Sequence, residues 1–179
     1  MENTLNPGYV LKADEREYKI IDVIGKGAHT IAYLAECRYD DRKTKCILKE
    51  YTPQSKEADK IKREKERFID AAKQQNKIRQ LTSLTNQTPP VCHIFEANGT
   101  AYSDVAIFNG NTLNKLADLS VQQYMEILLT IARTVGYYHK AGFLCLDLKP
   151  ENIFVMQNSP DDTITQIVEF IDFDSVRET

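Results

Sequence analysis

Three β-rich runs separated by turn residues fill the first third of the chain and restrict it to an antiparallel sheet. Residues 18–24 read Tyr-Lys-Ile-Ile-Asp-Val-Ile and run into Gly25-Lys26-Gly27. Residues 31–37 form a second run, Asp40-Asp41 supplies a turn, and residues 45–51 form a third. Connections this short cannot carry a crossover to a parallel neighbour, so the strands must form a meander.

The period then changes. Across residues 55–84, Ile61, Phe68, Ala71, Gln75 and Ile78 recur at helical spacing on an otherwise charged rod. Pro89-Pro90 closes that helix. Residues 91–97 and 100–108 flank Asn98-Gly99, whose tolerance of positive φ makes the pair a strong hairpin signal. Asn109-Gly110-Asn111 breaks the β pattern and reads as a hinge between residues 1–108 and 109–179. A second helix is expected over residues 120–141. Ser120 with Gln123 forms a capping box, and Gly142 is the C-terminal stop. Val121, Tyr124, Leu128, Ile131, Val135 and Tyr138 are its expected buried face. Two short strands, residues 153–156 and 164–171, surround the polar loop 157–163.

Composition narrows the partners. The 26 acidic and 23 basic residues give a net charge of −3, so no strong field points to nucleic acid or anionic lipid. The basic run 60–67 is interrupted by Glu64 and Glu66 and reads as a solvated helix face. No apolar run approaches the ~20 residues of a membrane helix, and the polar start lacks the apolar core of a signal peptide. Cys37, Cys46, Cys92 and Cys145 show no paired or metal-binding spacing. A cytoplasmic location is therefore expected, without nucleic acid or membrane as partner.

Several small motifs carry chemistry only in combination. Gly25-Lys26-Gly27 alone is a tight turn, and Lys49 alone is a strand lysine. Asp147-Leu148-Lys149-Pro150-Glu151-Asn152 alone is a polar turn, and Asp172-Phe173-Asp174 alone an acidic loop. Their order is the informative feature. A glycine hairpin, a strand lysine, a long helix, a hinge, a second helix, D-x-K-x-x-N and D-F-x follow one another over residues 18–176. In this the chain resembles the protein kinase superfamily. Lys49-Glu50-Tyr51-Thr52-Pro53 is similar to the corresponding stretch of bacterial serine/threonine kinase domains.

The resemblance implies an α+β fold: a five-stranded antiparallel N-lobe with one long helix, then a partial helical C-lobe ending after Asp-Phe-Asp. It implies ATP and Mg2+ as cofactors. The hairpin Gly25, Lys26, Gly27 would cover the triphosphate, where glycine lets backbone N–H groups approach, and Lys49 would hold the α- and β-phosphates. Ala32 and Ile47 would roof the adenine, Phe154 would floor it, and Ala106 and Phe108 would complete the nucleotide site. Asn152 and Asp172 would ligate magnesium through hard oxygen donors. Asp147 would orient the attacking protein hydroxyl and accept its proton, and Lys149 would contact the transferred phosphate.

Four positions depart from the family pattern. Thr30 replaces the third loop glycine, Cys145-Leu146 the His-Arg before the catalytic aspartate, and Asp174 the glycine after Asp-Phe. The helix carboxylate that should pair with Lys49 is not evident, and Gln74, Gln75 and Glu64 all remain candidates. An active serine/threonine kinase and a nucleotide-binding pseudokinase acting as a docking module are both open. Five residues follow Asp174. The parts that hold a protein substrate are therefore expected beyond Thr179, the 179 residues alone are expected to be inactive, and the apolar second helix is expected to favour a homodimer.

Overall fold

The computed structural model describes residues 4–82, 87–108, 110–156 and 168–179. The expected helix end near Leu84, the hinge residue Asn109, the loop 157–163 and the start of the strand expected over 164–171 lie outside them. The chain divides into two compact units, Met1–Ala72 with Val91–Ile107, and Lys73–Pro90 with Phe108–Thr179. The division falls one residue before the expected boundary, and Lys73–Pro90 joins the second unit.

The first unit is built on β1 (Val10–Ala13), β2 (Arg16–Lys26), β3 (Thr30–Tyr39) and β4 (Arg42–Tyr51). Helix α1 (Ala58–Thr82) follows, contributing residues up to Ala72 to this unit, and then β5 (Val91–Ala97) and β6 (Thr100–Ala106). The strands form one antiparallel sheet in the order β1-β2-β3-β4-β6-β5. All five expected strands are present, and β1 adds a sixth at the edge. Both expected turns form: Asp40 and Asn98 adopt φ of 52° and 51°, and Gly99 adopts 78°.

Alternation along the strands gives the sheet two apolar faces. Tyr18, Ile20, Ile31, Tyr33, Leu48 and Tyr102 bury one face together with Leu5 and Leu11 from the N-terminal segment. Glu50 lies within this face. Its two carboxylate oxygens accept from Tyr33 Oη at 2.5 Å and Tyr102 Oη at 2.8 Å, and Leu5 N donates to Tyr33 Oη at 3.2 Å. Burial of the carboxylate is thus matched by hydrogen bonds. The other face packs on α1, with Phe68 against Tyr51 and Ala101, and Ala72 against Val91 and Val105.

The second unit contains β7 (Asn111–Thr112), α2 (Val121–Lys140), β8 (Phe143–Cys145), β9 (Ile153–Val155), β10 (Val168–Phe170) and β11 (Val176–Glu178). β10, β9 and β7 form one antiparallel sheet, and β11 pairs with β8. Gly110 is glycine because a Cβ there would lie 2.5 Å from the Val155 carbonyl oxygen. Asn111, expected in the hinge, instead pairs with Val155 as part of β7.

Helix α2 starts as its sequence dictates. Ser120 Oγ accepts from Gln123 N at 3.2 Å, and Gln123 Oε1 accepts from Ser120 N at 2.8 Å. Such a cap is worth about 1 kcal/mol. Gly142 follows the helix with φ 85°. The buried face differs from the expected one. Ile127, Ile131, Thr134 and Tyr138 are buried, whereas Val121, Tyr124 and Leu128 are 82%, 48% and 42% exposed. The helix carries two adjacent apolar stripes, and the one that reaches Phe143, Val168, Phe170 and Phe173 is the one that is covered. Tyr138 closes this core through a 2.6 Å hydrogen bond with Thr88.

Candidate active site

In the first unit, strand register gathers three of the residues expected to hold a nucleotide. Gly25 pairs with Ala32, Ala32 with Lys49, and Leu34 with Ile47. Ala32, Ile47 and Lys49 therefore share one face of the sheet, and all three are half-buried. Ile47 also packs beside Ala72, Val91 and Val105, so it serves the core as well. Ala106 pairs with Cys46, which turns its Cβ to the opposite face. Only its main chain can join the other three.

Within this unit Lys49 Nζ has neither a hydrogen bond nor an ion-pair partner among the described residues. A half-buried ammonium in that state is suited to an anionic ligand. The glycine turn is tight: Gly27 N donates to Thr30 O at 2.7 Å, leaving Ala28 and His29 at the tip. A Cβ at Gly25 would meet only Ala32 Cβ at 3.9 Å, so packing of the protein itself does not demand glycine there. Lys26 Nζ donates to Thr4 Oγ1 at 3.1 Å and is held along the N-terminal segment.

The three candidate partners of Lys49 are engaged or placed differently. Glu64 Oε2 accepts from Tyr51 Oη at 3.1 Å and lies 3.9 Å from His29 Nδ1. Gln75 is buried and donates to the Pro89 carbonyl at 2.6 Å, which makes it an anchor for the segment after α1. Gln74 is half-buried. The role of Tyr51 in holding Glu64 had no local sequence signal, because it joins the end of a strand to a helix.

In the second unit the polar residues between β8 and β9 converge. Lys149 Nζ donates to Asp147 Oδ2 at 2.6 Å. Asn152 Nδ2 donates to both Asp147 O and Asp147 Oδ2 at 3.1 Å. The Lys149 hydrogen bond, with a smaller contribution from Asn152, holds the Asp147 carboxyl below its usual range. The same hydrogen bond raises Lys149, with Asp172 and Glu151 adding to it. Asp147 is thus kept ionised, with both donors on Oδ2 and Oδ1 left for another proton donor.

Asp172 enters the same recess, which is lined by Asp147, Asn152, Ile171, Asp172 and Phe173. Ile171 N donates to Asn152 O at 2.9 Å, tying the two loops together. Asp172 has φ 67° and ψ 77°, a left-handed conformation that aspartate tolerates better than most residues. Asn152 spends its amide N–H groups on Asp147, so its Oδ1 remains an oxygen donor. With the Asp172 carboxylate it offers the hard ligands that a divalent cation such as magnesium takes. Phe108 and Phe154 meet edge-on, centroids 6.2 Å apart.

Comparison with known proteins gives the family of the chain. The chain is 24% identical over 162 residues to serine/threonine-protein kinase D of Synechocystis sp., covering 90% of this chain and 30% of that protein. It is 25% identical over 169 residues to serine/threonine-protein kinase PknA of Nostoc sp., covering 92% and 28%. A probable serine/threonine-protein kinase, gdt4 of Dictyostelium discoideum, is 36% identical over 70 residues, covering 39% of this chain and 4% of that one. The chain thus spans about three-tenths of the length of the cyanobacterial relatives it matches. The sequence model of the protein kinase domain matches residues 18–179, and the chain belongs to that family.

Proposed function

We propose that these residues form the ATP-binding and catalytic part of a serine/threonine protein kinase, which transfers the γ-phosphate of ATP to a protein hydroxyl. The observation that carries the reading is the convergence of Asp147, Asn152 and Asp172 around one recess of the second unit, with Lys149 bonded to Asp147. Lys49 binds α- and β-phosphate oxygens, and Gly25 gives the chain room to approach them. Asp147 Oδ1 accepts a hydrogen bond from the substrate hydroxyl and orients it. Because phosphoryl transfer is mostly a matter of positioning and charge stabilisation, a low-pKa aspartate suffices for that task. Lys149 neutralises charge on the moving phosphoryl group, and Asn152 fixes Asp147. Asp172 and Asn152 Oδ1 would hold magnesium, which when bound neutralises phosphate charge.

Four cysteines without paired or metal-binding spacing in the sequence support a reducing compartment such as the cytoplasm. The test is incubation of the full-length protein with γ-labelled ATP, magnesium and a cell extract. Label in phosphoserine or phosphothreonine supports the reading.

A second reading, a nucleotide-binding pseudokinase, is favoured by one observation: Lys49 lacks a carboxylate partner in its own unit. Saturable ATP binding by the full-length protein without transfer to any protein would select it.

A further inference from the structure

We propose that the first unit carries a second ligand site, a pocket for an amphiphilic carboxylate at the end of the sheet beside the first turns of α1. A cavity of about 590 Å³ lies there, within the ~300–1,000 Å³ typical of small-molecule sites. Tyr51, Pro53, Ala58 and Ile61 provide apolar walls, and Lys62 and Lys65 stand among the lining residues. Every lining residue belongs to the first unit.

The walls are fixed by hydrogen bonds. Thr52 N donates to His29 O at 2.8 Å, and Thr100 Oγ1 donates to Tyr51 O at 2.6 Å. Tyr51 Oη donates to Glu64 on α1 at 3.1 Å. A ligand would enter a formed cavity, with little ordering to be done on binding.

Charge decides the ligand class. The one carboxylate in the lining, Glu50, is buried on the other face of the sheet, where its oxygens accept from Tyr33 and Tyr102. Lys65 Nζ pairs with Glu96 at 2.6 Å. Lys62 Nζ has no hydrogen bond or ion-pair partner among the described residues. The cavity therefore presents apolar walls and one unpaired ammonium. That fits a single ring or short alkyl chain ending in a carboxylate, and it is too little cationic charge for a polyphosphate.

The pocket adjoins the proposed nucleotide face, since its wall Tyr51 lies on the Lys49 side of the sheet, toward α1. Ile31 pairs with Glu50 in the pocket lining, and each is the chain neighbour of a nucleotide-face residue, Ala32 or Lys49, with its side chain on the other side of the sheet. Binding in the pocket does not depend on the kinase reading.

The test uses two probes, 4-phenylbutyrate and the neutral 4-phenylbutan-1-ol, titrated into the isotopically labelled 179-residue chain and followed by amide NMR shifts. Both are expected to move amides of residues 51–54, 58–62 and 98–100. The carboxylate should bind about two- to fivefold tighter, as one exposed charge pair allows. Lys62→Gln should remove that advantage and leave the alcohol's affinity unchanged. Ala58→Phe should fill the cavity and abolish both, in a variant whose remaining spectrum shows it folded. The proposal is overturned by shifts centred elsewhere, or by equal affinity of the two probes. It is also overturned if neither probe shows saturation by about 10 mM, where even a millimolar site would be nearly full.

Discussion

Asn152 holds Asp147 at two points, its Nδ2 lying 3.1 Å from both the main-chain carbonyl and Oδ2 of the aspartate. The buried amide thereby fixes the carboxylate while Oδ1 stays open. Replacing Asp147 with Asn removes the charge that Lys149 pairs with and the acceptor for the substrate proton. In the full-length protein, turnover is expected to fall about 10²–10⁴-fold, the usual contribution of a positioned acid–base group. ATP affinity should stay within about threefold, since Asp147 is assigned to the hydroxyl and not to the nucleotide. Steady-state phosphotransfer kinetics and nucleotide titration of the same variant check both halves.

Glu169 makes the fold sensitive to pH. It is buried in β10, and Oε2 has no hydrogen-bond partner among the described residues. Burial pushes its carboxyl up to about 8, and Arg79 offsets this only in part. The folded chain keeps a proton that the unfolded chain has lost. Folding therefore takes up a proton between the ordinary value of 4.5 and about 8, and stability from this group falls as pH rises through that window. Glu169→Gln should flatten the dependence. At pH 8 it should raise Tm by at least ~2–4 °C, the shift that ~1 kcal/mol gives a domain of this size, with a smaller effect at pH 5. Thermal melts of both proteins across this range measure it.

The uncovered stripe of α2 predicts self-association. Val121, Met125, Leu128 and Leu129 are between 42% and 82% exposed, and each large aliphatic side chain left in water forgoes ~1.5–3 kcal/mol. The 179-residue chain should form a dimer or larger species whose fraction grows with concentration. Met125→Lys with Leu129→Lys should return it to a folded monomer whose Tm no longer depends on concentration. Light scattering at several concentrations decides this. A folded monomer throughout would contradict it.

What the sequence disclosed, and what it hid, follows the range of the forces involved. The meander, the Asn98-Gly99 hairpin, the α1 stripe and the Ser120 cap are local, and each formed as read. Strand β1 was missed because Val10–Ala13 is short and mixed, and its pairing with β2 comes from the sheet edge. β8 and β11, three residues each, exist through pairing with one another. The buried face of α2 was misread because Leu128 and Ile127 are equally apolar. Only the facing core separates the two stripes. The candidate site was read from motifs alone, and the hydrogen bonding around it had no sequence signal. Tyr33 and Tyr102 bracket Glu50 from distant strands, and the tether from Tyr51 to Glu64 spans strand and helix.

Calorimetric titration of the folded chain with ATP, with and without magnesium, tests the central claim most directly. Lys49 without a partner in its unit, Gly25 without a packing constraint, and the oxygen donors Asn152 and Asp172 together predict saturable binding that magnesium strengthens. Lys49→Ala should weaken that binding at least about tenfold, as loss of a charge-assisted contact to phosphate implies. Asp172→Ala should remove the magnesium dependence. No heat of binding at about millimolar ATP, or binding indifferent to magnesium and to both substitutions, would contradict the assignment of these residues to a nucleotide site.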